Sequence, residues 1–408
     1  MRKLLTFITL FSLLVTGCSY NNTEGDTDIA EPAITGVQEA RILTDSNEIT
    51  AMARAILNNM TLEEKVGQMF LVNLEALDAT QGNFYEHRTF TDEMQKTLSE
   101  YPVGGVIFFS RNIETRTQTI ALIEKLQENT TVPLWISVDE EGGDVARIAN
   151  NSNMKTTKFP SMEIIGATEG ADYCYDMGVT IGTEISELGF NLDFAPVSDV
   201  RTNESNTEIG NRSFGSNADL VAELSSAVVK GLQSTNVSAT LKHFPGHGDA
   251  DGDTHQASVN IESDLNRLRN VDFVPFRQGI KAGADFMMIS HISISRVAGN
   301  TIPASLSSLV MQDIVRDELE FDGVIITDAF DMKAITNLYT SQEAAVKAIK
   351  AGADVVLIPE NFTAAYNAVA NAVITEEISE SQINESVLRI LKTKIKRGLI
   401  LSDTDLIY

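Results

Sequence analysis

The stretch ADLVAELSSAVVKGLQSTNVSATLKH (residues 218–243) has the two hydrophobic patterns from which the fold can be predicted. Its first part carries apolar residues three and four positions apart, for example Val221 and Leu224, which is typical of a helix with one buried face. Its last part, Val237–His243, is a short and largely apolar run, as expected for a parallel strand that is covered on both faces. The stretch therefore predicts a helix over residues 218–234 followed by a buried strand.

The strand pattern recurs seven more times along the chain, with longer helical segments between the later strands. Eight strands alternating with helices predict an α/β protein, a (β/α)8 TIM barrel that forms a single catalytic domain over residues 49–408. A doubly wound open sheet is the alternative, and it is weakened because no glycine-rich dinucleotide motif follows an early strand. We also predict helices over Leu265–Ala282 and Ile383–Arg397, the second beginning after a capping box of Ser379 and Gln382. The remaining predicted strands are Val66–Leu74, Val103–Ser110, Pro133–Asp139, Phe190–Val200, Ala284–His291, Gly323–Asp328 and Ala353–Pro359.

The N-terminus has the features of a bacterial lipoprotein. A short basic start precedes the apolar run Leu4–Val15, which is too short to span a bilayer and has the length of a signal-peptide core. The run leads to Thr16-Gly17-Cys18, which resembles a lipobox, with an ordinary secretory signal as the alternative. We therefore expect a signal peptide over residues 1–17, a lipidated Cys18, a flexible tether over residues 18–48, and an extracytoplasmic, membrane-anchored protein.

Composition limits the possible partners. The 408 residues are 43% hydrophobic, which is enough for one large core or two ordinary ones. The formal net charge of −26 repels phosphate backbones, so nucleic acid is not an expected partner. Cys174 is the only cysteine besides Cys18, so lipidation of Cys18 would leave no intramolecular disulfide. The oligomeric state stays open at this point, and we expect a monomer.

Polar residues stand at the ends of five predicted strands. They are Asp139, Asp199, the pair Lys242-His243, the pair Ser290-His291, and Asp328. Any one aspartate could cap the following helix, but burying charged groups at five strand ends costs several kcal/mol unless the charges are compensated. Because barrel enzymes place their active sites at the C-terminal ends of the strands, these residues predict an active site there.

The segment Lys242-His243-Phe244-Pro245-Gly246-His247-Gly248 resembles the signature of family 3 glycoside hydrolases of the bacterial β-N-acetylglucosaminidase type. Four other segments resemble that family's motifs in the expected order. The chain departs from the family pattern at Glu140, where glutamine or histidine is usual, and at Asp144, where arginine is usual. The four segments are Gly104–Asn112, Asp139–Arg147, Asn211–Gly215 and Ile325–Met332.

The resemblance implies a retaining β-N-acetylhexosaminidase that removes terminal β-linked N-acetylglucosamine (GlcNAc), with peptidoglycan fragments or chitooligosaccharides as substrates and no cofactor. It implies that Asp328 is the nucleophile. It also implies that His255 is the acid/base and that Asp253 orients it, a sensible pair because imidazole titrates near neutrality. His247 is the competing acid, but the resemblance assigns it to the structure of the loop. The residues implied to hold the terminal sugar are Asp139, Arg147, Arg212, Lys242 and His243.

Several alternatives stay open. A family 3 β-glucosidase or xylosidase, a GlcNAc phosphorylase, and a muropeptide-binding lipoprotein without activity would share this pattern. A metal site is disfavoured, although Asp249, Asp251 and Asp253 have the spacing of a calcium loop. Thr254 stands where that loop needs glycine, and Asn260 where it needs glutamate.

Overall fold

Eight short parallel strands close into a barrel in a computed structural model of the protein, which describes residues 42–82, 84–251, 254 and 256–402. Each strand pairs with the strands before and after it in sequence, and the first pairs with the last. This closed order confirms the predicted (β/α)8 barrel and excludes the doubly wound open sheet. The strands are β1 Phe70–Asn73, β2 Gly105–Ile107, β3 Trp135–Val138, β4 Leu192–Asp193, β5 Ser238–Phe244, β6 Phe286–Ile289, β7 Val324–Ala329 and β8 Val355–Leu357.

Helices surround the barrel, and the helix over Ala218–Ser234 has the predicted bounds. The last long helix, Glu380–Lys396, starts three residues before the predicted Ile383. Ser379 caps it by accepting a hydrogen bond from the Gln382 backbone N–H, but the Gln382 side-chain amide donates to the Ile349 carbonyl, so only half of the predicted capping box forms. The other α-helices are Ser46–Asn59, Leu62–Gln68, Leu74–Leu77, Asp92–Glu100, Arg116–Glu128, Met162–Thr168, Ala171–Ser186, Leu265–Arg267, Phe273–Lys281, Ser295–Ala298, Lys333–Thr336, Ser341–Ala351 and Phe362–Ile374, with π-helices at Leu268–Asp272 and Leu309–Glu318 and 3₁₀ turns at Ala79–Gln81, Ser110–Asn112, Gly210–Arg212 and Ala304–Leu306.

The first predicted strand began too early. Residues 66–68 lie in the helix Leu62–Gln68, and β1 starts only at Phe70. A capping box explains the difference. The Thr61 hydroxyl accepts from the Glu64 N–H at 3.2 Å, and the Glu64 carboxylate accepts from the Thr61 N–H at 2.7 Å. These two bonds satisfy backbone donors at the helix start, so the helix forms within an apolar run that resembles a strand.

Two other predicted segments are less regular than expected. The run Phe190–Val200 contributes only Leu192–Asp193 to the ladder, because Pro196 has no N–H to donate and pairing resumes only as an isolated bridge at Val197. The predicted helix Leu265–Ala282 is helical over most of its length but contains the π-helical turn Leu268–Asp272.

The N-terminal part of the described chain is helical earlier than expected. The helix Ser46–Asn59 begins inside the predicted tether, because the Asp45 carboxylate caps it by accepting from the N–H groups of Asn47 and Glu48. The signal peptide over residues 1–17 and Cys18 lie outside the described residues. No helix in the described part of the chain combines the length and apolar character needed to cross a membrane.

The barrel interior is filled with side chains. Trp135 of β3 meets Phe286 of β6 edge to face, with ring centroids 5.2 Å apart. At the N-terminal end of the strands the buried Lys394 Nζ donates to Gln68 Oε1 at 2.7 Å and to the Gly104 carbonyl at 3.0 Å. This end of the barrel is therefore occupied, and the opposite end carries the polar residues predicted from the sequence.

Candidate active site

A cavity of about 360 Å³ lies at the C-terminal ends of the barrel strands. This volume is at the small end of the range typical for small-molecule sites, about 300–1,000 Å³. Asp253, His255 and Cys18 lie outside the described residues, so their positions stay predictions. Every other residue that the resemblance implies to be catalytic or sugar-binding lines this cavity, whereas Asp199, Ser290 and His291, also placed at strand ends, do not: the lining residues are Asp139, Arg147, Arg212, Lys242, His243 and Asp328.

A buried group of charges forms one wall of the cavity. Its centre is Glu141, in a short hairpin that follows β3, where Glu140–Gly142 pairs with Val145–Ala146. One oxygen of Glu141 lies 2.6 Å from Lys242 Nζ and 2.7 Å from Arg212 Nη2, and the other accepts from Arg212 Nε at 2.9 Å. Lys242 also donates to Asp139 Oδ1 at 2.9 Å. Glu141 therefore fixes two of the predicted sugar-binding cations in place.

The electrostatics of this wall keep its members charged. Burial alone would raise the pKa of Glu141, but Arg212 and Lys242 hold it well below its ordinary value. Burial would likewise lower the pKa of Lys242, and the carboxylates of Asp139 and Glu141 raise it instead. Glu141 lies inside a motif recognised in the sequence but was not among the predicted site residues. In the sequence Glu141 stands beside another glutamate and far from Lys242 and Arg212, so nothing there indicated that it would bind both cations.

Asp199 holds the two histidines of the Lys242–Gly248 motif. Its Oδ2 accepts from the backbone N–H of His243 at 3.1 Å and lies 2.7 Å from His243 Nδ1, and its Oδ1 accepts from the His247 N–H at 2.6 Å. Burial would raise the pKa of Asp199, but the two histidines and the backbone donor lower it. An ionised carboxylate can only accept, so His243 carries its proton on Nδ1. Asp199 therefore sets the tautomer and the orientation of His243.

His247, the competing acid, also lines the cavity that contains Asp328. It is buried, and its Nε2 lies 3.3 Å from Thr254 Oγ1. Burial lowers the pKa of His247 despite the opposing charges of Asp199 and Asp328, so the ring is neutral at neutral pH.

Two glycines of the motif are required by the way the loop folds. A Cβ on Gly248 would stand 2.0 Å from the Val200 carbonyl oxygen, which no side chain tolerates. Gly246 has a φ of +121°, a conformation that residues with a Cβ rarely adopt. The peptide bonds Lys242–His243 and Phe244–Pro245 are cis.

Asp328 lies at the C-terminal end of β7, and its backbone is held by the end of β6. Asp328 Oδ1 accepts from the Ala329 N–H at 2.8 Å. His291 Nε2 donates to the Ala329 carbonyl at 2.8 Å, so its Nδ1 is left to accept from the Ser305 hydroxyl, also at 2.8 Å. His291, which the sequence placed at the rim, therefore supports the strand end that carries Asp328 and does not itself line the cavity.

Thr254 is the one described residue of the Asp253-Thr254-His255 segment. Its side chain is buried and lines the same cavity as Asp328. Its carbonyl accepts from the Ala334 N–H at 3.2 Å, at the start of the short helix that follows β7.

The two departures from the family pattern lie outside the lining of the cavity. Glu140 is buried, and its oxygens accept from the N–H groups of Ile148 and Ala149 at 2.7 and 2.8 Å. Burial raises the pKa of Glu140 to about 7, although these hydrogen bonds oppose the shift. Asp144 accepts from the side-chain amide of Asn211 at 2.7 Å. Neither side chain is among the described residues that line the cavity, so both shape the loop and not the floor of the site.

Asp249, the first residue of the calcium-like spacing, has other partners. Asp249 accepts hydrogen bonds from Thr202 Oγ1 at 2.8 Å and from Ser263 Oγ at 2.9 Å. In the part of the chain that the structure describes, no group of three or more histidine, cysteine or acidic side chains is arranged to hold a metal ion.

Comparisons with known proteins give a consistent picture. Residues 61–393 match the glycosyl hydrolase family 3 N-terminal domain. Beta-hexosaminidase A of Pseudoalteromonas piscicida is 33% identical over 336 residues, which cover 76% of this chain and 56% of that protein. The beta-hexosaminidase of Stenotrophomonas maltophilia is 35% identical over 287 residues, 68% of this chain and 83% of that protein.

A solved structure agrees with these matches. A family 3 β-N-acetylglucosaminidase from Paenibacillus sp. is 38% identical, with a TM-score of 0.78, over 83% of this chain and 63% of that one. The chain thus spans little more than half the length of the Pseudoalteromonas relative and less than two thirds of the Paenibacillus structure. The matched segment contains all eight barrel strands and the charged wall of the cavity, and the chain belongs to glycosyl hydrolase family 3.

Proposed function

We propose that this protein is a retaining exo-β-N-acetylglucosaminidase that hydrolyses terminal β-linked GlcNAc. The observation that carries the proposal is the convergence of Asp328 with the charged wall of Glu141, Lys242 and Arg212 on one cavity of about 360 Å³. The relatives named beta-hexosaminidase and the Paenibacillus β-N-acetylglucosaminidase support the same sugar.

Recognition of the terminal sugar relies on groups that are fixed before the substrate arrives. Lys242, Arg212 and His243 are each oriented by a buried carboxylate, so little reorganisation is needed when they bind hydroxyl or acetamido groups. A substrate that lacks one of those groups leaves a buried polar atom without its partner, which is how such sites discriminate.

The cavity floor is apolar. Ile107, Phe194 and Met288 lie there, above the packed interior of the barrel. A pocket closed below by packed side chains accepts the end of a chain, in keeping with removal of one terminal sugar.

In the proposed first step, the Asp328 carboxylate attacks the anomeric carbon and forms a covalent glycosyl-enzyme. The bond to the leaving oxygen breaks, and that oxygen takes a proton from His255. In the second step His255 removes a proton from water, which attacks the anomeric carbon and frees Asp328, so the configuration at that carbon is retained. The role of Asp253 is to hold the His255 ring and stabilise its protonated form. Support for His255 comes from its neighbour in sequence, because Thr254 lines the cavity that contains Asp328.

A 5-fluoro derivative of GlcNAc that carries a good leaving group tests the nucleophile. The expected result is a covalent adduct on the peptide containing Asp328, located by mass spectrometry, and no adduct in Asp328→Asn. An adduct on any other residue would refute this mechanism. The products formed in phosphate buffer are measured in the same experiment. If they are mainly GlcNAc 1-phosphate, the reaction is phosphorolysis and not hydrolysis.

We extend the proposal to the substrate source and the location. The lipobox-like sequence at Cys18 supports an anchored protein outside the cytoplasm, where peptidoglycan fragments that end in GlcNAc are available. Metabolic labelling with a fatty acid, followed by cell fractionation, tests whether the protein is anchored through Cys18. The wild-type protein is expected to be labelled and found with membranes, whereas Cys18→Ser is expected to be unlabelled. Labelling of Cys18→Ser would overturn the assignment of the anchor.

A further inference from the structure

An exposed aromatic residue with an unusual backbone conformation is linked to the cavity through one intervening side chain. Phe84 is 78% exposed, the most of any exposed large hydrophobic side chain in the described part of the chain. It also has a φ of +61°, which is unfavourable for a residue with a Cβ and persists only where the surroundings impose it. Backbone strain of this kind is concentrated at active sites and at segments that hold ligands.

Phe84 is connected to the cavity through a cation. The Arg111 guanidinium lies over the Phe84 ring, 5.5 Å from its centroid, and over the Phe109 ring, 4.4 Å from its centroid. Phe109 lines the cavity that contains Asp328. Phe84, Arg111 and Phe109, which we term the aromatic platform, therefore form one continuous surface that begins inside the cavity and ends in solvent.

The loop that carries Phe84 is tied to the loop after β2. The side-chain amide of Asn112 donates to the His87 carbonyl at 3.2 Å, Arg88 Nε donates to the Arg111 carbonyl at 3.2 Å, and Gln118 Nε2 donates to the Arg88 carbonyl at 2.8 Å. The platform is thus held by two loops that are hydrogen-bonded to each other. A surface fixed in this way loses little conformational entropy when a ligand binds.

The charge on the platform is compensated. Arg111 Nε donates to Glu75 Oε1 at 2.6 Å, and the Glu75 side chain is 10% exposed. The guanidinium therefore brings no unpaired positive charge, and what the platform offers a ligand is ring faces and a flat cation. Such a surface suits a pyranose, whose C–H face stacks on aromatic rings, more than a ligand that needs a net charge.

We propose that the aromatic platform is the subsite for the leaving sugar, and that it binds a neutral pyranose such as a second GlcNAc by stacking. This rests on the proposed function, because the platform is useful only if the bond to that sugar is cleaved beside Asp328. Phe109 lines the cavity and Phe84 is 78% exposed, so the platform links the cavity to solvent, and the remainder of a substrate must lie in solvent when its terminal sugar fills the cavity.

Two substrates separate this subsite from the chemistry. N,N′-diacetylchitobiose places a GlcNAc on the platform, whereas β-GlcNAc fluoride has a leaving group too small to reach it. We expect Phe84→Ala to lower kcat/KM for the disaccharide about five- to tenfold, as for other aromatic contacts, and to leave the fluoride unchanged. Phe84→Trp keeps an aromatic ring at this position and is therefore expected to retain the wild-type activity on the disaccharide.

The matched control is Ile374→Ala, which removes another exposed apolar side chain, 69% exposed, at the end of the helix Phe362–Ile374 on the outside of the barrel. Ile374→Ala is expected to leave kcat/KM unchanged for both substrates. Equal rates for wild type and Phe84→Ala on the disaccharide, or equal losses on both substrates, would overturn the subsite while leaving the hydrolase intact. If the wild-type protein cleaves neither substrate, the proposed function is overturned, and the subsite with it.

Discussion

Replacement of Glu141 by glutamine tests whether the buried charges are the structural basis of the site. The change keeps the size of the side chain but removes the negative charge between Lys242 and Arg212. Glu141 is 1% exposed and Lys242 is 2% exposed, so solvent compensates the lost charge only poorly. Lys242 keeps Asp139, and the new amide keeps one acceptor oxygen.

The expected loss is about 3 kcal/mol in the free energy of unfolding, the lower end of the range of about 3–5 kcal/mol for breaking a buried ion pair. That loss is a large share of the total stability of a typical protein, about 5–15 kcal/mol. We also expect weaker sugar binding, because Arg212 is no longer held by two hydrogen bonds to one carboxylate.

The loss in free energy of unfolding caused by Glu141→Gln depends on pH. The folded-state pKa of Glu141 is lowered, so its stabilisation is present above the unfolded value of about 4.3 and is lost as pH falls towards the folded value. The folded-state pKa of Lys242 is raised, so its stabilisation is present below about 10.4 and is lost as pH rises through the folded value. The difference between wild type and Glu141→Gln is therefore full between about pH 5 and pH 10 and shrinks below about pH 4.

Urea unfolding followed by fluorescence of Trp135, the single tryptophan, measures this difference at several pH values. The control is Glu128→Gln, because Glu128 and Lys125 form a pair of the same length, 2.6 Å, with both side chains more than half exposed. The control is expected to leave the urea midpoint unchanged, since exposed pairs contribute little. Equal midpoints for Glu141→Gln and wild type at pH 7, or a difference that does not shrink in acid, would refute this reasoning.

Three further predictions follow from the same structure. Burial raises the pKa of Glu140 from 4.5 to about 7, so ionising this carboxyl disfavours the folded state. The free energy of unfolding of Glu140→Gln should therefore rise relative to that of wild type by on the order of 3 kcal/mol between pH 4.5 and pH 8. Urea midpoints of the two proteins that run parallel across that range would contradict this. His255→Ala should lower kcat on substrates with poor leaving groups by about 10²–10⁴-fold but much less on activated aryl glycosides, and equal losses on both would remove the acid role. Gly248→Ala should lower the melting temperature or prevent folding, because its Cβ would stand 2.0 Å from the Val200 carbonyl oxygen; an unchanged melting temperature would show that the loop can move.

The barrel could be predicted from the sequence because it depends on patterns that repeat locally. A parallel strand covered on both faces is a short apolar run wherever it occurs, and the eight runs alternate with helical segments whose apolar residues recur at helical spacing. All eight predicted strands are present, and their errors are at the ends, where short-range hydrogen bonds decide. The capping box at Thr61 and the missing N–H of Pro196 each moved a boundary by a few residues.

The residues at the strand ends were also predictable, because a charge at the end of a buried strand needs a reason. Asp139, Lys242, His243 and Asp328 meet at one cavity, as barrel geometry requires. Arg147 and Arg212 came from family resemblance alone, and they line the same cavity.

The partners of these residues were decided only by the tertiary structure. Glu140 and Glu141 are adjacent and chemically identical, yet the first accepts from backbone N–H groups outside the lining of the cavity while the second lies between two cations. A residue's neighbours in sequence do not fix which face of a hairpin it occupies, since successive side chains in a strand point to opposite sides. Asp199 likewise orients His243 from 44 positions away, a contact that exists only because closing the barrel brings the ends of β4 and β5 together.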